Sequence, residues 1–175
     1  MKPYPRDQVS RGVPCRIDRR AASEKERHMP QTAQPDVKGF YDSKTGSIQY
    51  VVACPSTRKA VIIDPVWDFD EKAARVCTSN ADEIAEYVKS DQLNVVRILD
   101  THPPADHFSA GPYLKQKLGA PTAIGEHVVG VQKLWKGIYN LPDSFATDGS
   151  QWDHLFKDGE TFKVGDLDAR VMFSP

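Results

Sequence analysis

The chain has 175 residues, of which 39% are hydrophobic and 27% charged, the balance of a soluble globular protein rather than a disordered one. A net charge of −1 and a pI near 6.5 offer no bulk attraction to nucleic acid or to an anionic membrane surface. Mean hydropathy is −0.52, and no apolar run approaches the roughly 20 residues of a bilayer span, which argues against a membrane protein.

Residues 1–36 carry eight Lys/Arg against five Asp/Glu and have almost no apolar periodicity, so they read as a disordered extension ahead of a structured domain over 37–175. The extension lacks the apolar stretch of a secretory signal and is too acidic for a mitochondrial presequence. Met29 stands just before Pro30 and the first structured pattern, which makes it the expected start and residues 1–28 an over-extended gene reading. Cys15, Cys54 and Cys77 are too few and too scattered for a disulfide framework, so a reducing, cytoplasmic setting is expected.

Beyond Val37, Gly39-Phe40-Tyr41 leads into a turn over 42–46, and Ile48, Tyr50 and Val52 alternate as a strand. A second turn over 55–59 precedes the apolar run Ala60-Val61-Ile62-Ile63, a buried strand that stops at Asp64-Pro65. The polar stretch 68–80 reads as a loop. Ser79 with Asp82 marks a helix start, followed by the apolar face Ile84, Tyr87 and Val88. Val95–Leu99 is the next strand. A helix is expected over 109–118 with Gly119 as its stop, then a short strand at 122–125 and a helix over 127–140. Leu155-Phe156, Thr161–Val164 and Leu167–Phe173 complete the pattern as a short apolar step and two strands around Gly165-Asp166. Strands followed by strand-loop-helix units predict an α/β layered fold.

The segment Thr101-His102-Pro103-Pro104-Ala105-Asp106-His107 carries the chemistry. It follows a buried strand and precedes a helix, where α/β sheets collect ligands. Two imidazoles and a carboxylate within six residues are a ligand set for zinc and equally for non-haem iron. A metal there polarises a carbonyl or lowers the pKa of bound water towards ~7. Spacing alone fits equally a polar loop in which Asp106 caps the helix and both histidines are solvated. Cys54 and Cys77 have no base at readable spacing and read as buried or inert thiols, and Ser109 lacks a hydrolase elbow. Trp135, Tyr139 and Trp152 are candidates for lining a pocket or for core packing.

This loop resembles the His-x-His-x-Asp-His motif of the metallo-β-lactamase superfamily with one ligand changed. Segments 36–42, 62–66, 118–126 and 147–151 are similar to its β-lactamase hydrolase-like branch, itself similar to persulfide dioxygenases and glyoxalase II. The resemblance covers about residues 35–175 and implies the N-terminal half of an αββα sandwich, a mixed sheet with flanking helices and a metal site at one edge. It implies zinc or iron held by His102, Asp106 and His107, and Asp64 as a support of the loop rather than a ligand. The implied substrate is a small thiol or thioester such as a glutathione derivative, taken by a thioester hydrolase or a glutathione-persulfide dioxygenase. No catalytic side chain apart from the metal ligands is assigned. Position 104 matches a motif histidine and is Pro104, which has no donor atom; His127 and His154 are the nearby imidazoles that could replace it, or serve ordinary surface and packing roles. The chain stops at Pro175, where relatives run on into further ligands. This chain is therefore expected to be impaired by Pro104 and the truncation, and inactive as an enzyme; a truncated, metal-poor fragment or binding module is the alternative, with low stability and self-association through exposed sheet edges expected.

Overall fold

An antiparallel meander opens the fold: β1 (Asp36–Tyr41), β2 (Ile48–Ala53) and β3 (Lys59–Ile63). The computed structural model describes residues 34–70, 72–103 and 108–174. The segment with Cys15, His28 and the candidate start at Met29 lies outside the described residues, as do Pro104, Asp106 and His107. Strand β1 begins at Asp36, the last residue of the stretch read as an extension.

The first turn is held by Asp42, whose buried carboxylate accepts the N–H groups of Lys44 and Thr45 at 3.2 Å and the Thr45 hydroxyl at 2.6 Å. Ala60, Val61 and Ile62 are all buried, as befits a strand covered on both faces. The stretch 68–80, expected as a loop, instead forms a small hairpin of β4 (Asp68–Asp70) and β5 (Arg75–Cys77). Helix α1 (Ser79–Ser90) follows, with Thr78 rather than Ser79 at its N-cap position; the Thr78 hydroxyl donates to the Asp82 carboxylate at 2.6 Å instead of capping a backbone N–H. Then come β6 (Asn94–Leu99), α2 (Gly111–Leu118) and β7 (Thr122–Gly125), with Gly119 ending α2 at φ 71°. Helix α3 (Val128–Ile138), β8 (His154–Phe156), β9 (Thr161–Val164) and β10 (Leu167–Arg170) complete the order.

Six strands form one mixed sheet in the order β1-β2-β3-β6-β7-β8, parallel from β3 to β8. On one face, Val51, Ala60, Ile62 and Ile98 pack with Ile84, Ala85 and Val88 of α1 and Leu114 of α2 in a continuous buried cluster. Burying such side chains stabilises by about 1.5–3 kcal/mol each. The other face carries Val61, Ile63 and Leu99, and the β9–β10 hairpin lies against part of it, with Phe162 5.0 Å from Phe156. Its open part includes Val37, Tyr41, Ile48 and Tyr50, all exposed. The alternation at Ile48, Tyr50 and Val52 is thus real but outward; Gln49, Val51 and Ala53 point into the core.

The hairpin is clasped to the sheet at one turn. Ser56 donates to Asp166 at 2.7 Å, and the Asp166 N–H reaches the buried Cys54 sulfur at 3.4 Å. Hydroxyls of Ser56 and Thr57 hold the Cys54 thiol down at about 6, although burial pushes it up. Gly165 is in the left-handed region at φ 63°, and a Cβ there would stand 1.9 Å from the Thr57 hydroxyl. Gly165→Ala is therefore expected to cost about 2–4 kcal/mol, read as a lowered urea midpoint with an unchanged m-value. At the other end of the sheet, Asp153 accepts from Lys115 at 2.5 Å and from the Thr122 N–H at 2.8 Å, which holds its carboxyl at about 2 against an ordinary 3.8. Its contribution is complete above about pH 4 and is lost as pH falls towards about 2. Asp153→Asn should flatten the loss of stability across that window, measured by chemical denaturation at each pH.

Candidate active site at the strand ends

The parallel strands β3 and β6 end side by side, with Ile63 paired to Leu99. Asp64 follows in the left-handed region at φ 49°, a conformation Asp tolerates better than bulkier residues, and its N–H donates to the Leu99 carbonyl at 2.8 Å. That turn carries its carboxylate to Thr101: Oδ1 accepts the Thr101 N–H and Oδ2 the Thr101 hydroxyl, both at 2.7 Å. A hydroxyl has one proton, and here Asp64 takes it. Towards His102 Nδ1, 2.8 Å away, Thr101 Oγ1 can therefore only accept. Nδ1 carries the ring proton, and in the neutral imidazole Nε2 holds the lone pair, the form that ligates a metal.

Asp100, at the end of β6, is buried, and its N–H donates to the Ala123 carbonyl of β7 at 3.0 Å. Its Oδ1 accepts the Ser109 hydroxyl at 2.8 Å and its Oδ2 the Trp152 indole N–H at 2.7 Å. Ser109 in turn accepts the Gly111 N–H at 3.1 Å, joining the loop to α2. The start of that segment is pinned to the opposite turn: Trp67 N–H donates to Phe108 at 2.9 Å and Ala110 N–H to Pro65 at 2.8 Å. Beneath it the buried Gln49 accepts the Val66 N–H at 2.7 Å.

A cavity of about 450 Å³ opens at the carboxyl ends of β6, β7 and β8. His102, Asp100, His127 and Asp158 line it among predominantly apolar side chains. His127 begins α3 and lies 4.1 Å, ring to ring, from Phe173. His154 is absent from this wall; its Nε2 meets Glu160 at 2.7 Å and its ring packs edge-on against Phe156. Of the three aromatics considered as lining, none lines the cavity: Trp135 and Tyr139 stack on each other at the surface, and Trp152 acts through Asp100.

Of the three expected metal ligands, His102 is described and lines the cavity, whereas Asp106 and His107 lie outside the described residues. Among the described residues no group of three His, Cys, Asp or Glu side chains is arranged to hold a metal ion. The described part of the site thus supplies one candidate ligand, His102, with its ring proton on Nδ1. Cys54 is buried, as expected, while Cys77 is exposed. Trp152 and Gln49 as supports of the site were not legible from spacing, since each meets a partner distant in sequence.

No protein-family model matches the chain. It is 61% identical over 141 residues to a β-lactamase hydrolase-like protein of Xylella fastidiosa, covering 81% of this chain and 32% of the relative. It is 42% identical over 148 residues to the Dictyostelium discoideum protein named glyoxylase B2, covering 84% and 50%. In fold it is similar to the BLEG-1 B3 metallo-β-lactamase, with a TM-score of 0.57 and 21% identity over 80% of this chain and 62% of that one. The chain spans about a third to a half of the length of these curated relatives.

The hydroxyl relay has a direct readout. In ¹⁵N NMR the neutral His102 ring should carry its proton on Nδ1 rather than Nε2. Thr101→Val removes the acceptor and should shift the population towards the Nε2–H tautomer; an unchanged ring pattern in that variant would refute the relay.

Proposed function

Part of a metallo-β-lactamase-superfamily fold is what this chain carries, and from that premise we propose that it derives from a metal-dependent hydrolase of thioesters or a related glutathione-persulfide dioxygenase, with His102 as a metal ligand. The observation that carries this reading is the Asp64–Thr101–His102 chain of hydrogen bonds at the mouth of a cavity, which sets the imidazole in its ligating form. Asp106 and His107 are the proposed companion ligands, and zinc or iron the proposed ion. When bound, the metal supplies Lewis acidity and a nucleophilic oxygen at neutral pH.

The chain's own residues do the positioning. Asp64 and Thr101 hold the proton on His102 Nδ1, and Ser109 and Trp152 fix the Asp100 carboxylate at the end of β6, next to the loop that carries His102. Substrates of this reading are small thioesters or persulfides of glutathione type, in a cytoplasmic protein that does not bind nucleic acid. Among the described residues no helix is long and apolar enough to cross a membrane. Association of copies through the exposed sheet edges, β1 and β8, belongs to the same proposal. Pro104 favours a second reading, a binding module that holds metal weakly or not at all and turns over poorly.

Titration of the chain with Zn²⁺ and Fe²⁺ under anaerobic conditions tests both. His102→Ala should weaken binding at least ~10-fold, and Pro104→His should strengthen it by about 10–100-fold. Wild-type affinity in His102→Ala would overturn the assignment of His102. No gain in Pro104→His would remove the claim that position 104 limits the metal site.

A further inference from the structure

The cavity beside His102 has a composition that selects among thioesters. Ile63, Leu99, Ile124, Val131, Phe156 and Phe162 make up much of its wall. Among the described residues its ionisable side chains are the Asp158 carboxylate and the imidazoles of His102 and His127, and no Lys or Arg lines it; Asp100 borders it with its carboxylate engaged by Ser109 and Trp152, which are not part of the wall. Arg97 sits with its guanidinium over the Phe156 and Phe162 rings, 5.3 and 5.7 Å from their centroids, and contributes no wall.

In the metal-free chain a carboxylate entering here would lose its hydration, gain no Lys or Arg partner among the described residues, and face the like charge of Asp158. An alkyl or aryl group meets no such penalty and gains with every methylene it buries. The volume of about 450 Å³ lies within the range of small-molecule sites. We infer that this cavity takes an uncharged apolar acyl group, so that the preferred ligand is the thioester of a hydrophobic acid, with any anionic thiol portion held outside. The thioester part of this inference rests on the function proposed above; the apolar part rests on the cavity alone.

The test is calorimetric titration of the full chain with uncharged S-acyl-N-acetylcysteamine thioesters, from acetyl to octanoyl. Kd should fall about fourfold per added methylene until the cavity is filled. The succinyl analogue, with a carboxylate at its tip, should bind at least ~10-fold more weakly than the butanoyl one. Gly125 lines the cavity, and a Cβ built there meets no atom within 4 Å, so a larger side chain occupies open space. Gly125→Leu should abolish the dependence on chain length, while Gly125→Ala, a smaller change on the same backbone, should only shorten the optimal chain.

A flat affinity across the series, equal binding of the succinyl probe, or an undiminished chain-length dependence in Gly125→Leu would each overturn the inference. Metal titration separates it from the functional reading. A rising series in a chain that binds no metal supports the apolar site and removes the metalloenzyme. A flat series in a chain that binds zinc through His102 does the reverse.

Discussion

Parallel pairing places the carboxyl ends of neighbouring strands at one edge of a sheet, and the whole candidate site depends on that alignment here. Strands β3, β6, β7 and β8 run parallel, so Asp64, Asp100 and Gly125 emerge at the same edge although separate stretches of chain deliver them. The pairing continues one residue past β3, where the Asp64 N–H still reaches Leu99. From that point the two carboxylates take different work. Asp64 turns in the left-handed region to take both protons of Thr101, and Asp100 stays in the sheet line to take those of Ser109 and Trp152. The buried Asp100 without these donors would be a desolvated charge costing several kcal/mol.

The antiparallel meander contributes differently. It brings Gln49 under the turn after β3, where its side-chain carbonyl accepts the Val66 N–H. That contact, with the backbone bonds from Trp67 and Ala110, ties the two loops flanking the site into one rigid floor. The imidazole of His102 is thus positioned by groups that are themselves positioned, the arrangement a metal or substrate site needs if geometry is to survive thermal motion.

Much of this was legible in the sequence. The apolar run 60–63, the strand ending at Asp100 and the helical spacing of Val128, Val131, Leu134, Trp135 and Ile138 all correspond to elements. His102 was legible because it follows a strand end directly. The relay behind it was not, since Thr101 acquires its meaning only from Asp64, 37 residues earlier. Trp152 likewise meets Asp100 across 52 residues, a separation that leaves no periodic trace. In β2 the period of two was correct, but apolar residues occur on both faces, so alternation could not say which set faces the helices; Ile48 and Tyr50 face out and Gln49 goes in. The hairpin at 68–77 escaped because its strands are three residues long and their polar turn residues dominate the pattern.

The clasp between the turn at 54–59 and the tip of the β9–β10 hairpin joins residues far apart in the chain: Ser56 and Asp166 are separated by 110 positions. Closing so long a span costs loop entropy that the two hydrogen bonds of the clasp, each worth about 1 kcal/mol net, do not offset by themselves, so the contact depends on the sheet between its ends. It therefore belongs to the late part of folding. Damage to it shows in how fast the native protein opens rather than in how fast it assembles. The hairpin over the second sheet face is in this sense the last piece in and the first piece out. The cavity beside His102 has Phe162 of that hairpin in its wall, so opening the latch removes part of that wall.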